Sequence, residues 1–299
     1  MMTMRAGAQV LLRLVLALAA VGGSVALFRG LVVPGLQGVL HIGDEATRIL
    51  RRGGILLVAL AAYWAYVRAS EKRAVTEIYF PPAGVALGLA SGAALVSIAT
   101  LALFAFGVYE VVSVRGVSSA LAGTACVILI AAMLEEIFFR GIVFRILETV
   151  VGTLPALVLE SLIFAVLHLP NIAGADMMTA VTMISSATLI GALWTMIFVH
   201  TRNLWIVGVH HAAWNFAILL TGLPLSGVEE WRGIAPFESR YRGPDWLTGG
   251  VFGPEDSVIT IGIVASCLGA LIYCARLRHR MLAAGGAPAG RDKPSACID

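Results

Sequence analysis

The chain has 299 residues, 59% of them hydrophobic and only 13% charged, with a mean hydropathy of +0.90 and a formal net charge of +3. Soluble domains are roughly half apolar and a quarter charged, so an ordinary soluble protein is excluded, and no basic stripe suggests a nucleic-acid partner. The cysteines Cys126, Cys267, Cys274 and Cys297 include no pair at metal-ligand spacing and are expected to be packing residues.

Apolar runs long enough to cross a bilayer recur along the chain. About eight spans are expected, near Ala8 to Leu27, Gly54 to Val67, Ala83 to Tyr109, Ser118 to Val150, Leu154 to Leu169, Met177 to Val199, Leu204 to Leu220 and Val258 to Tyr273. The first carries Arg5 and Arg13 ahead of its Ala/Leu/Val run and lacks a small-residue cleavage site, so it reads as an uncleaved span. The second is short, and His41 to Arg52 before it reads as a surface-lying amphipathic segment or a loop. Glu229 to Asp256 reads as the one sizeable outer loop, and the Ala/Gly/Pro-rich tail after Met281 as disordered. Cys297 has only two residues after it, so no prenylation box ends this sequence. Lys and Arg gather on the side of the two termini, which are therefore expected in the cytoplasm.

Ionisable groups inside spans cost on the order of 2.5 to 3.5 kcal/mol each and persist mainly where they act. The fourth span holds Glu135, Glu136 and Arg140. Glu136 and Arg140 lie four apart on one helix face and form the natural ion pair, which leaves Glu135 as a carboxylate in an apolar setting, suited to general acid or base work. The bland alternative is that both acids only pair with Arg140 or Arg145 to hold helices together. His168 stands near the end of the fifth span, before Pro170. A hairpin turning between Gly152 and Pro155 brings it to the depth of Glu135, about 22 Å along each helix at roughly 1.5 Å per residue. His211 and Asn215 share a face of the seventh span, with His210 pointing roughly 100° away. They suit an oxyanion, a metal ion or a plain interhelical hydrogen bond.

Glu135-Glu136-x-x-x-Arg140, Phe164-x-x-x-His168 and His211-x-x-x-Asn215, in this order on successive segments, resemble the three motifs of the CPBP intramembrane protease family, which includes type II CAAX prenyl endopeptidases and bacteriocin-processing proteins. The resemblance covers roughly Ser118 to Leu220. It implies an all-α polytopic fold of about eight transmembrane helices, with a buried catalytic cavity open to the cytosolic side. It divides the chain into helices 1 to 3 (1–117), a catalytic core of helices 4 to 7 (118–220), an outer loop (221–257), and the last helix with a flexible basic tail (258–299). By analogy Glu135 and His168 activate water, His211 and Asn215 stabilise the oxyanion, and Glu136 and Arg140 organise the site. No obligatory cofactor is expected, although zinc, if bound, would take Glu135, His168 and His211.

The resemblance thus implies an intramembrane endopeptidase acting on a lipidated or membrane-anchored peptide or protein, with membrane lipids as its other partners. The alternatives are a non-catalytic peptide-binding or immunity protein and, with less support, an ion or proton transporter. Ala, Gly, Val and Arg usage points to a GC-rich bacterium and hence its cell membrane, where prenylated CAAX substrates are not expected.

Overall fold

The computed structural model describes residues 4–41 and 43–285. Cys297 and the tail beyond residue 285 lie outside the described residues. Seven helical segments are long and apolar enough to cross a membrane: Gly7–Leu40, Asp44–Glu71, Pro82–Ala105, Thr153–Ile172, Met177–Thr201, Leu204–Thr221 and Val258–Leu277. The remaining expected span is a composite of a 17-residue α-helix, an eight-residue π-helical stretch and a short α-helix.

In chain order, α1 (Met4–Leu27) runs through a π turn into α2 (Val33–Leu40), and α3 (Asp44–Tyr66) returns. The structure corrects the expectation for His41 to Arg52: from Asp44 onward this stretch is the first turns of α3, so the second span is not short. Pro82 opens α4 (Pro82–Ala105), where its missing N–H costs nothing. This helix ends four residues before Tyr109, because the chain there enters β1 (Tyr109–Val114). β1 pairs antiparallel with β2 (Phe237–Tyr241), so the all-helical expectation misses one two-stranded sheet, and the outer loop is structured.

The core follows. α5 (Ala120–Glu136) continues as the π stretch Ile137–Phe144 and α6 (Arg145–Val151). Gly152, at φ +84°, makes the turn into α7 (Thr153–Val166), and a Cβ there would stand 2.9 Å from the Leu282 carbonyl oxygen. α7 stops at Val166, ahead of Pro170. α8 (Met177–Thr201) and α9 (Leu204–Thr221) are capped by Asp176 and Asn203, whose side chains accept from Thr179 and Ile206 backbone N–H groups. A single turn, α10 (Asp245–Thr248), precedes α11 (Val258–Leu277), capped by Ser257.

α9 is the central helix, packed between α4 and α5, while α8 joins α7 to α11. The approach of α4 to α9 depends on Gly84, Gly88 and Gly92, one turn apart. A Cβ at Gly88 would come within 2.7 Å of the Ile206 carbonyl oxygen, and one at Gly92 within 2.1 Å of that of His210. The outward faces carry exposed Leu12, Leu16, Leu87, Ile98 and Leu101, as a lipid-facing bundle requires. Cys126 and Cys274 are exposed on this surface as free thiols and Cys267 is half-buried, so the first two do not pack in the core as expected.

One end of the bundle gathers the described chain ends, the 72–81 segment and the α6–α7 and α8–α9 turns. Arg145 and Arg73 pair there with Glu71, Arg202 pairs with Glu148, and the Leu282 amide bonds to Thr153. The other end carries the sheet and the 222–257 segment, where Asn171 reaches the Ser226 carbonyl.

Candidate active site

A cavity of about 110 Å³ lies within the core, and Glu135, His168, His211 and Asn215 all line it. Ile128, Phe164, Ile190 and Trp194 supply apolar wall, and Asn171, Ser226, Trp231 and Glu255 close it on the sheet-bearing side.

α5 delivers two acids to different surroundings. Glu136 is fully buried, and its Oε1 accepts from Arg140 Nη1 at 3.0 Å and from His211 Nδ1 at 2.9 Å. Glu135, one residue earlier, turns into the cavity with 34% of its side chain exposed. Its Oε2 has no hydrogen-bond partner among the described residues and stands 3.8 Å from His211 Nε2. The π stretch starts directly after this pair and contains Arg140, a local widening of the helix that recurs at functional sites.

Arg140 is wholly buried and fully engaged. Its Nη2 donates to the Gly191 carbonyl at 2.7 Å and its Nε to Thr195 Oγ1 at 3.1 Å, and Glu160 Oε1 lies 3.5 Å from Nε. Thr195 in turn donates to Glu160 Oε2 at 2.6 Å. One guanidinium thus ties α5, α7 and α8 together and, through Glu136, the histidine of α9. A buried charge survives only when paired and hydrogen-bonded in this way.

His168 follows the end of α7, its ring 4.4 Å from that of Phe164. Its Nδ1 is 2.8 Å from the Phe164 carbonyl, which can only accept, so Nδ1 carries the proton and a neutral ring leaves Nε2 as a free lone pair. His211 stacks on Trp194 with centroids 3.6 Å apart and planes 22° apart, which with the Glu136 bond fixes its ring. Asn215 lies one turn further along α9, its Oδ1 buried without a partner. His210 is also buried but does not line the cavity; it belongs to the face packed on Gly92.

Residues 117–217 match the family model described as type II CAAX prenyl endopeptidase Rce1-like. The matched segment is about a third of the chain and is similar to that family over this length. Neither a curated protein nor a solved structure matches the chain. The matched segment contains all three motifs, and the family is one of polytopic membrane endopeptidases of CAAX-protease type, so the reaction class is peptide-bond hydrolysis at the membrane.

Among the described residues no group of three or more His, Cys, Asp and Glu side chains is placed to hold a metal ion, although Glu135, His168 and His211 all line the same cavity. The cavity also lies toward the sheet-bearing end, opposite the described chain ends.

Sequence reasoning left three contributors unassigned. Glu160 was visible as another acid within an apolar span. Trp194, an aromatic residue in an apolar helix, carries no such signal. Glu255 sits in the outer loop, where acids are ordinary, yet it is buried with Oε1 accepting from Trp214 Nε1 at 3.1 Å and Oε2 from the Ser226 amide at 2.8 Å. Burial pushes its carboxyl up, against the pull of Ser226 and Trp214.

Proposed function

We propose that the cavity hydrolyses a peptide bond of a lipidated or membrane-anchored substrate by direct attack of water, with Glu135 and His168 as its activating pair and His211 and Asn215 as its oxyanion donors. The observation that carries this reading is the convergence of these four side chains, from α5, the end of α7 and α9, on one cavity. Glu135 Oε2 has no hydrogen-bond partner and His168 keeps its Nε2 lone pair while Nδ1 is engaged, which leaves two basic atoms at the cavity for holding and deprotonating a water. The water oxygen forms the new bond to the carbonyl carbon, the C–N bond breaks, and the proton taken from water passes to the departing amine.

The Glu136 carboxylate accepts from His211 Nδ1–H and fixes the ring with Nε2 3.8 Å from Glu135 Oε2, so that Nε2 serves the oxyanion once it takes up a proton during the reaction. Asn215 contributes its amide N–H from the same face of α9. Glu136 and Arg140 position His211 and do not touch substrate. We keep both termini in the cytoplasm of a bacterial cell membrane on the basic-residue count, which assigns the cavity to the extracytoplasmic half.

The test is cleavage of membrane-anchored peptides by the reconstituted full chain. Glu135→Gln and His168→Ala each lower kcat by at least about 100-fold at unchanged abundance, the usual scale for a general base. Cleavage that survives both substitutions would sink the mechanism.

A further inference from the structure

The end of the bundle that gathers the described chain ends contains a second and larger cavity, of about 800 Å³. Its wall is built from α1, the 70–77 segment, α6, the end of α8 and the 279–282 segment. Arg13, Arg73, Arg145, Arg202 and Arg280 line it, together with Glu71, Glu77 and Glu148. The carboxylates are taken up within the wall. Glu71 accepts from Arg145 and Arg73, Glu77 from Arg73 and the Tyr63 hydroxyl, and Glu148 from Arg202 and Thr153. Three negative charges thus stand against five positive ones, and among the described residues the wall keeps a surplus of two cations. Arg13 is exposed and has no acid partner among the described residues, while Arg280 donates from Nη1 to the His200 carbonyl, which holds it at the wall.

The position of Arg13 indicates where the balancing anion comes from. It lies in an apolar stretch of α1 whose Leu12 and Leu16 are exposed, and Leu16, three residues on, shares its helix face. An arginine so placed lays its stem along lipid and carries its charge to the headgroup layer. Guanidinium forks match phosphate oxygens, and phosphate is the anion that layer supplies. The volume falls in the range of roughly 300 to 1,000 Å³ that encloses a whole organic ligand, more than one phosphate fills. We infer that this cavity binds the headgroup of an anionic membrane phospholipid carrying two phosphates, with the acyl chains along the exposed face of α1. The two phosphodiester charges balance the two surplus cations. One headgroup then joins α1, α6, α8 and the 279–282 segment, which meet here mainly through ion pairs and hydrogen bonds.

The experiment places the full chain in vesicles of phosphatidylcholine, alone or doped with cardiolipin, which carries two phosphodiesters, or with phosphatidylglycerol, which carries one, at matched total lipid charge. The readouts are the unfolding temperature and the lipid retained through detergent purification, measured by mass spectrometry. Neither involves peptide cleavage. Cardiolipin is retained and raises the unfolding temperature by several degrees, well beyond phosphatidylglycerol, as a ligand of the folded state must. Arg13→Gln, at an exposed position, leaves the fold intact and weakens cardiolipin retention about fivefold, the scale of one arginine against an anionic lipid. Arg276→Gln, exposed but outside the cavity, leaves retention at the wild-type level. Equal effects of the two anionic lipids, or equal losses in the two variants, reduce the binding to general surface charge and overturn the inference. Stabilisation by pyrophosphate in phosphatidylcholine vesicles as large as that by cardiolipin assigns the site to a soluble ligand and overturns it too, as does the absence of both retention and shift.

Discussion

Replacing Gly92 by alanine tests whether the placement of α9 sets the catalytic geometry. The added Cβ would stand 2.1 Å from the His210 carbonyl oxygen, 2.8 Å from its carbon and 2.9 Å from its Cα. These are backbone atoms of α9 and cannot rotate aside, so α4 and α9 must part by about 1 Å to restore contact in a close-packed interior. His211 and Asn215 ride on α9 immediately beyond this contact, and a displacement of about 1 Å in a catalytic constellation costs on the order of 100-fold in rate. Stability is the poorer reporter, because overpacking at about 1 to 3 kcal/mol is partly offset by the roughly 1 kcal/mol an alanine adds to helix propensity. The assay is kcat/KM on an anchored peptide in proteoliposomes, with Gly262→Ala and Gly269→Ala as controls, since a Cβ at either meets nothing within 4 Å. A Gly92→Ala protein as active as these controls would refute the claim that this crossing positions the site.

Four further outcomes are expected. Arg140→Met leaves Glu136 and Glu160 without their shared cation and destabilises the fold by about 3 to 5 kcal/mol, read as lost abundance and a lower unfolding temperature in detergent; a protein of wild-type stability contradicts the buried network. Zinc-free protein, verified by elemental analysis after chelation, keeps its cleavage rate, and a loss restored specifically by zinc defeats this expectation. With the native cysteines replaced, a cysteine at exposed Val117 reacts with an impermeant thiol reagent in intact cells; reaction only after permeabilisation reverses the assigned orientation. Outside the spans, burial pushes Glu77 up, but the hydrogen bonds and charge of Arg73, with the Tyr63 hydroxyl, hold it below its ordinary value near 4.5. A depressed carboxyl stabilises the fold above that value and loses its contribution as pH falls through the folded pKa. Glu77→Gln therefore lowers the unfolding temperature at neutral pH and narrows its gap from wild type under acid, and a gap that stays constant with pH argues against the pairing.

What was legible in the sequence follows from how much each feature costs. Apolar length marked the spans, and intramembrane charge marked Glu135, Glu136, Arg140, His168 and His211, since lipid leaves such groups no cheap alternative. Spacing also separated His211 from His210, because four residues return to the same face as Asn215 and five do not. Position along a helix was readable; the partner across the bundle was not. Glu136 pairs with Arg140 at the expected four-residue interval but also reaches His211, 75 residues away in sequence, a contact made only once α9 packs on α5. The strand Tyr109–Val114 escaped notice because its apolar residues continue the pattern of α4, and its partner arrives from the distant 237–241 segment.

The same reasoning explains why Glu255 was the acid hardest to see in the sequence. An acid in a loop rich in Pro, Gly and mixed charge costs nothing while solvated, so its sequence context gives no reason to single it out. Its burial is created by the fold: the segment after α9 turns back over the cavity, and Ser226 and Trp214 present donors to both carboxyl oxygens. The loop thus closes the cavity with an acid whose sequence context is that of a solvated surface. The three motifs lie within the matched segment 117–217, whereas Glu255 lies beyond it. Exchanging residues 222–257 tests the loop apart from the matched segment: hydrolysis is retained with an altered choice of substrate, and a lost reaction at unchanged abundance refutes the separation.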